Sequence, residues 1–217
     1  MDDKQKLTCS ECGSMACREN VGRFPEFCLT KNATQAEIDE AMAVYRNDEE
    51  ALRMFNIAAV LEHDFYCKLT RVEETIEFIK RMGYKKVGIA TCVGLMREAS
   101  TFARILKAKG IECYTCGCKI GAVDKTELGI PEEKKLNGGC RHESMCNPVM
   151  QAQELEREGC EFVIVMGLCV GHDTMFFKTT NLPTTVMVVK DRVLQHAPAL
   201  ALYGVNTGFS RFKDIGM

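Results

Sequence analysis

Four short apolar runs in the second half of the chain constrain the fold most strongly. They are KKVGIATC (85–92), IECYTCGCKI (111–120), CEFVIVMGLC (160–169) and TTVMVVKD (184–191). Apolar runs of this length are typical of strands that are buried on both faces. Helical patterns over residues 95–109 and 147–159 lie between them, and strands that alternate with helices pair in parallel through right-handed crossovers. The sequence therefore predicts a three-layer, Rossmann-like α/β fold.

Composition divides the chain into three regions. The predicted domains are a cysteine-rich metal-binding segment (1–33), a helical region that packs on the core (34–82) and the Rossmann-like domain (83–217). Two capping boxes, Thr34-x-x-Glu37 and Thr70-x-x-Glu73, predict helices that begin directly after each threonine. Gly83 is placed to end the second of these helices in the left-handed conformation.

The charge of the chain excludes some classes of partner. The formal net charge is −2, and no basic run is longer than Lys134-Lys135. Nucleic acid and anionic membranes are therefore not expected partners. No apolar stretch approaches the roughly 20 residues that span a bilayer. Because the first residues also lack the apolar core of a signal peptide, we expect a cytoplasmic protein.

The thirteen cysteines are the most unusual feature of the composition. A reducing compartment keeps thiols unpaired, and an odd number does not fit a complete disulfide framework. Cys67, Cys113 and Cys160 are explained as small apolar residues that pack in the interior. The remaining cysteines are grouped, and grouped thiols in a reducing compartment favour zinc or iron–sulfur ligation.

The first group lies in the segment CSECGSMAC and ends at a cysteine further along. Its members, the predicted ligands of one metal or cluster, are Cys9, Cys12, Cys17 and Cys28. A Cys-x-x-Cys turn lets two thiolates reach the same metal, and so short a segment needs a metal to order itself. The spacing matches neither a zinc ribbon nor the bacterial ferredoxin pattern, so the identity of the metal stays open.

The second group lies where the predicted strands end. In a parallel sheet these ends meet at one edge, where ligands bind. The predicted ligands at this edge are Cys92, Cys118, Cys146 and Cys169. Cys116 is the alternative to Cys118, because positions two apart on a strand face the same side. Cys140 lies in a polar insert, residues 121–145, which we expect to be mobile, and it could be an additional or exchangeable ligand.

Several other residues near this edge are candidates for ligands or for supporting hydrogen bonds. They are His172, Asp173, His196 and Asn147. His172 could ligate through a Cys-x-x-His turn, or orient a ligand through a hydrogen bond. Asp191 and Arg192, at the end of the fourth run, could form a polar lid or an ion pair. The first strand is not followed by the glycine pattern of a dinucleotide site.

Three motifs together resemble a known family. They are MCNPVMQA (145–152), GLCVGHD (167–173) and KDRVLQH (190–196). The chain is similar over nearly its whole length to a family of predicted metal-binding proteins of unknown function, found mostly in anaerobic microbes. The resemblance implies metal binding, with iron–sulfur favoured, and no established reaction. This chain has His196-Ala197-Pro198 where the family pattern has His-Asn-Pro, and Cys116-Gly117-Cys118 where the pattern has adjacent cysteines.

These observations support three hypotheses. The first is an iron–sulfur redox protein with [4Fe-4S] clusters, which would exchange electrons with a partner protein or act on a small molecule. The second is a non-catalytic module that binds or delivers zinc or iron. The third is a thiol enzyme in which His172 activates Cys169. An edge lined with thiols could also lie at a subunit interface, which would make the protein a homodimer.

Overall fold

The computed structural model describes residues 7–139, 141–205 and 208 of the chain. The chain forms two compact units, one that ends at Asp64 and one that begins at Phe65. The helices of the first unit are α1 (Leu29–Asn32), α2 (Gln35–Asn47) and α3 (Glu49–Phe65), whose last residue starts the second unit. The second unit comprises α4 (Arg71–Met82), β1 (Lys86–Thr91), α5 (Met96–Ala108), β2 (Glu112–Gly117), α6 (Pro148–Arg157), β3 (Phe162–Met166), α7 (His172–Thr179), β4 (Thr184–Val188) and α8 (Ala199–Tyr203).

The predicted helix ends at Thr34, Thr70 and Gly83 are confirmed. Each threonine side chain accepts a hydrogen bond from the backbone N–H three residues later, and the glutamate there accepts one from the threonine N–H. Gly83 ends α4 in the left-handed conformation, with φ 77°. These ends are predictable because only neighbouring residues determine them.

The four strands form one parallel sheet in the order β2-β1-β3-β4. Ile76 and Ile79 of α4 pack with Phe102 of α5 on one face of the sheet. Leu155 of α6 and Phe176 of α7 pack on the other face. The predicted three-layer, Rossmann-like α/β fold is therefore confirmed. Helices on both faces leave the carboxyl ends of the strands as the open edge.

The strands are shorter than the apolar runs that predicted them. The third run covers residues 160–169, whereas β3 spans Phe162–Met166, and the second run likewise extends beyond β2 at both ends. Gly167 has a φ of 71°, so the chain leaves the sheet before Cys169. The cysteines at the carboxyl ends of these runs thus lie on loops at one edge of the sheet, where their side chains can approach one another.

The helix α7 was not predicted from the sequence. A glycine turn precedes His172, with φ 87° at Gly171, and His172 is already the first residue of a helix. Asp173 closes this turn, because its Oδ1 accepts hydrogen bonds from the N–H groups of Gly171 at 3.1 Å and Thr174 at 2.7 Å. The hydrophobic periodicity of this short segment is too weak to indicate a helix. The buried side chain of Phe176 stabilises the helix by packing in the core.

Ion pairs join several of the described residues of the polar insert, residues 121–145. The buried Lys135 ammonium lies 2.8 Å from Asp124 Oδ1 and 2.8 Å from Glu132 Oε2. Its hydrogen bond holds the pKa of Asp124 far below the usual range. Lys125 forms a further ion pair with Glu143. A polar composition therefore also suits a loop whose charges are paired.

No helix within the described ranges is long and apolar enough to cross a membrane.

Candidate metal centre

The strand order places a topological switch point between β1 and β3. The chain runs from β1 outwards to β2, and then returns to the other side of β1 to form β3. In open parallel sheets, ligands bind in the crevice outside the carboxyl ends at such a point. Cys92 directly follows β1, and Cys169 follows β3 by three residues. Two of the predicted ligands therefore flank the switch point.

Backbone hydrogen bonds join the loops that carry the predicted ligands. Cys92 N donates to the last carbonyl of β3 at 3.3 Å, and Cys118 N donates to the last carbonyl of β1 at 2.8 Å. Asn147 N donates to Cys118 O at 2.7 Å, so the residues Cys118 and Cys146 lie side by side. The fold itself thus gathers loops that are distant in the sequence.

Cys118 and Cys146 form a hydrogen-bonded pair that shares one proton. The bond from the Cys118 thiol, aided by the charges of Lys119 and His172, lowers the pKa of Cys146 to about 5. The same bond and burial raise the pKa of Cys118 well above its usual range. Val93 N also approaches the Cys118 sulfur at 3.5 Å. Of the two thiols, Cys146 is therefore the one that ionises more readily.

Arg192 brings a positive charge to the same group of sulfurs. Its Nη2 donates a hydrogen bond to Cys169 Sγ at 3.0 Å. That bond and the charge of Cys169 raise the pKa of the guanidinium, and Cys92 and Cys146 add to the effect. Asp191, which the sequence offered as a partner of Arg192, instead accepts hydrogen bonds from two backbone N–H groups of the following loop. Arg192 thus places a cation where it can compensate negative charge on the sulfurs.

Three helices begin at this edge, directly after segments that carry cysteines. Cys92 Sγ accepts a hydrogen bond from Gly94 N at 3.4 Å in the turn before α5. Asn147 Oδ1 accepts one from Met150 N at 3.0 Å and so caps α6. The third, α7, begins at His172. Because the amino end of a helix is electropositive, the three ends favour anionic groups at this edge.

His172 contributes a buried nitrogen to the centre. Its Nδ1 is inaccessible to solvent and has no hydrogen-bond partner in the part of the chain that the structure describes. The imidazole acts electrostatically on Cys146, whereas the Cys169 sulfur is bonded to Arg192. The Cys169–His172 pair that a thiol enzyme would need is therefore not formed here. An unpaired buried nitrogen suits a metal or a cluster sulfur as its partner.

The other supporting candidates are occupied locally. The carboxylate of Asp173 closes the turn before α7, and the side chain of Asn147 caps α6. His196 Nδ1 accepts a hydrogen bond from Asp191 N at 3.1 Å. Its proton therefore lies on Nε2, which makes His196 a hydrogen-bond donor in the neutral form.

Cys116 does not take part in the hydrogen bond between Cys118 and Cys146, although it lies in the same apolar cluster as Cys118. It is 4% exposed and belongs to the apolar cluster under α6. Burial, together with the charge of Glu154, raises its pKa to about 11. The fully buried Gln151 donates from Nε2 to Cys116 O at 2.7 Å and to the last carbonyl of β1 at 3.1 Å. Cys140, the additional candidate in the insert, lies outside the described residues.

The first cysteine group is arranged more openly. Cys28 is buried and Cys12 half-buried, whereas Cys9 and Cys17 are exposed. Cys12 N donates to Cys9 O at 3.2 Å, so the Cys-x-x-Cys motif forms a turn. Thr8 N donates to Phe27 O at 3.2 Å and closes the loop between them. Cys9 and Cys28 directly follow the two residues that this bond joins, so the loop closure favours their approach.

Within the described ranges, no three His, Cys, Asp or Glu side chains are already close enough together to hold a metal ion. The chemistry at the sheet edge nevertheless fits a metal–thiolate group, since it combines a stabilised thiolate, cationic neighbours and an unpaired imidazole nitrogen. Both ligand sets stay predictions.

The chain matches the model of a family described as a protein of unknown function (DUF1847) over residues 28–187. The chain belongs to this family. It is also 42% identical over 197 residues to the uncharacterized protein MJ0455 of Methanocaldococcus jannaschii, an alignment that covers 91% of this chain and 94% of that protein. The predicted membership of an uncharacterised family is therefore confirmed.

A solved structure, titled as Dph2 from Pyrococcus horikoshii with a 4Fe-4S cluster, is similar to part of the chain. The sequence identity is 21% and the TM-score 0.36. The match covers 68% of this chain and 34% of that chain, so this chain spans about a third of its length.

Sequence reasoning missed one member of the centre, Lys119, and the partner of another, Arg192. Lys119 donates a hydrogen bond to Ser144 O at 2.5 Å and lies beside Cys146, whose pKa it lowers. The contact between Arg192 and Cys169 joins residues 23 positions apart. Both cations closely follow the end of a strand in the sequence, and this position is the signal that could have indicated them.

Proposed function

We propose that the protein is an iron–sulfur redox protein whose sheet-edge site holds a [4Fe-4S] cluster. The ligands would be Cys92, Cys118, Cys146 and Cys169, and a second site would use Cys9, Cys12, Cys17 and Cys28. The observation that carries the proposal is the gathering of loops from distant parts of the chain at the switch point, through the backbone bonds of Cys92, Cys118 and Asn147. If the cysteines only filled the apolar core, their loops would not need to meet at the switch point.

The charges around the sulfurs support a metal rather than packing. Burial alone keeps a thiol protonated, as at Cys116. At Cys146, by contrast, a hydrogen bond and the Lys119 ammonium stabilise the thiolate. Arg192 adds a second cation at Cys169. Because a thiolate is the form that ligates metals, Cys146 already favours the protonation state that ligation requires, whereas Cys118 would lose its proton on ligation.

His172 would complete the surroundings of the metal. Its buried Nδ1 has no partner within the described ranges, and it could either ligate or donate to a cluster sulfur. When bound, the cluster would supply a centre that gains and loses electrons. Arg192 and Lys119 would stabilise the more negative, reduced form, since both place positive charge near the sulfurs.

A second candidate function, zinc or iron binding for delivery, is favoured by the first cysteine group. Cys9 and Cys17 are exposed, and exposed thiols can pass a metal to another protein or to a chelator. In this case the N-terminal site would release its metal readily while the fold of the second unit persists.

The test is metal and sulfide analysis of the protein purified without oxygen. We expect iron and acid-labile sulfide, and we expect Cys9→Ser with Cys12→Ser, or Cys146→Ser with Cys169→Ser, each to lose about half of both. The matched control is Cys113→Ser with Cys160→Ser, which removes two cysteines near the opposite end of the sheet and should keep all of the iron.

Other results separate the alternatives. Zinc alone, lost only from the Cys9 and Cys12 variant, would replace the redox proposal with the delivery function. Cys116→Ser should keep the iron and Cys118→Ser should lose it. The reverse result would move the fourth ligand to Cys116.

A further inference from the structure

A cavity of about 940 Å³ lies beside the candidate metal centre. It is lined by Leu95, Glu98, Met187, Val188, Val189, Lys190, Asp191, Arg192, Gln195, His196 and Pro198. Arg192 is shared between the two sites, because its guanidinium also donates to Cys169 Sγ. A molecule in the cavity would therefore lie within one side chain of the sulfurs.

Lys190 brings a positive charge to this cavity. The residue is half-buried, and its ammonium takes part in none of the hydrogen bonds or ion pairs described for residues 7–139 and 141–205. A Cβ at position 94 would lie 3.2 Å from Lys190 Nζ, and one at position 167 would lie 3.8 Å from its Cδ. The two glycines thus leave room for the lysine at the ends of β1 and β3. A partly buried, unpaired ammonium favours an anionic ligand.

The loop after β4 adds donors to the same wall. Gln195 and His196 both have positive φ values, 50° and 69°, although neither is glycine. Bonds from Asp191 N to His196 Nδ1 and from His196 N to Asp191 O hold this strained turn. The bond to Nδ1 leaves the proton of the neutral imidazole on Nε2, so His196 is available to donate. Strain of this kind persists where the fold imposes it, often at a binding site.

The charges that line the cavity limit the ligand. The cations are Lys190 and Arg192, and the carboxylates are Glu98 and Asp191. With equal numbers of each sign, the wall does not suit a polyanion such as a nucleic acid or a polyphosphate. It suits a small molecule with one anionic group, which Lys190 would pair with while Arg192 remains on Cys169.

We propose that this cavity binds a small molecule through a carboxylate or a phosphate, with Lys190 as the main anion-binding residue. The site adjoins the metal centre but does not depend on it, so it can be tested whether or not a cluster is bound. If the cluster is present, the ligand is placed to be its substrate.

The experiment is calorimetric titration of the full-length protein, purified without oxygen, with inorganic phosphate and with acetate at constant ionic strength. At least one anion should bind the wild type. In Lys190→Met the affinity should fall roughly tenfold or more, because a charge-assisted bond is lost. The matched control is Lys178→Met, which removes a lysine on the exposed side of α7 outside the cavity and should bind as the wild type does. Lys190→Arg should restore most of the affinity.

Either of two results overturns the inference: neither anion binds the wild type, or Lys190→Met binds as tightly as the wild type does. Titration of Cys118→Ser with Cys146→Ser separates the two proposals. Anion binding by this variant supports the cavity whatever its metal content. A wild type that holds iron and sulfide but binds neither anion leaves the redox proposal standing and removes this one.

Discussion

The two cysteine groups differ in what positions their thiols. The group at Cys9, Cys12, Cys17 and Cys28 lies within one short segment, and two of its members are exposed. The sheet-edge group comes from four separate segments, joined by backbone bonds that no metal supplies. In the first group a metal would order the chain, whereas in the second the chain orders the site. A metal would therefore contribute to folding in the first group, whereas in the second it would bind at a site that the fold already provides.

The largest expected effect is on the rate of proteolysis after metal removal, which should differ between the two cysteine groups. After chelation, trypsin should cut at Arg18 and Arg23 on the order of a hundredfold faster, because the segment then loses the bonds that order it. Arg97 and Arg104, which lie on α5, should stay protected, since the apolar core in which Phe102 of this helix packs contains none of the proposed ligands. Digestion followed by mass spectrometry measures both. Equal cleavage at Arg18 with and without metal would contradict the assigned role of the first group.

The second effect concerns the pH at which Cys146 ionises in the metal-free protein. Its pKa is lowered from about 9 to about 5, so between these values the folded protein carries a thiolate and the unfolded chain a thiol. Stability should therefore rise with pH across this window and be lost as the pH falls through about 5. Cys118 is protonated in both states below pH 9 and opposes folding only above it, where the unfolded thiol ionises.

Alkylation of Cys146 against pH, followed by peptide mass analysis, measures this midpoint. Cys118→Ala removes the donor and should move the midpoint towards the ordinary value, while Cys160→Ala, a change at another buried cysteine, should leave it in place. A midpoint near 9 in the wild type would mean that the pair is not hydrogen-bonded.

The third effect tests how closely the sheet edge is packed. Gly167 and Gly159 have nearly equal φ values, 71° and 70°. A Cβ at position 167 would lie 1.9 Å from Leu95 Cδ1, whereas one at position 159 would meet nothing within 4 Å. Gly167→Ala should lower the free energy of unfolding by about 3 kcal/mol, from backbone strain and overpacking together. Gly159→Ala should cost only the strain, about 1 kcal/mol.

Urea unfolding of the two alanine variants provides the comparison. If both lost the same stability, Leu95 would have to move freely, although it is only 1% exposed.

The smallest effect compares the two capping boxes. Thr70→Ala should lower the unfolding free energy of the second unit by about 1 kcal/mol, because α4 buries Ile76 and Ile79 against the sheet. Thr34→Ala should change it by less than about 0.3 kcal/mol, since α2 has no buried residue. Hydrogen exchange should instead show faster opening of the first turn of α2. A global loss from Thr34→Ala as large as that from Thr70→Ala would contradict this difference.

Local signals predicted the parts of the fold that depend on neighbouring residues. Thr34, Thr70 and Gly83 end helices through contacts within one turn, and parallel pairing follows from the alternation of strands and helices. The strand order does not follow from either, because any order that buries the apolar runs satisfies the same pattern. The position of the switch point depends on the strand order, so it could not be predicted from the sequence.

The candidate site was predictable in its residue types but not in its contacts. The rule that parallel strands end at one edge placed Cys92 and Cys169 together. That rule does not show that Arg192 bonds to Cys169 or that Lys119 lies beside Cys146, because both contacts depend on how loops fold back over the edge. The helix that begins at His172 was missed for a similar reason, since the burial of Phe176 in the core stabilises it more than its intrinsic helix propensity does.

The bond from Asn147 N to Cys118 O has a consequence for the range of metals that this framework can accept. It involves only backbone atoms, so the alignment of positions 118 and 146 does not require sulfur at either of them. Replacing a thiolate there by imidazole or carboxylate would change the donor from soft to harder while the loops keep their place. Preference would then move from soft metals towards borderline and hard ones. If the proposed metal site is present throughout the family, its metal selectivity would change through single substitutions, with no change of fold.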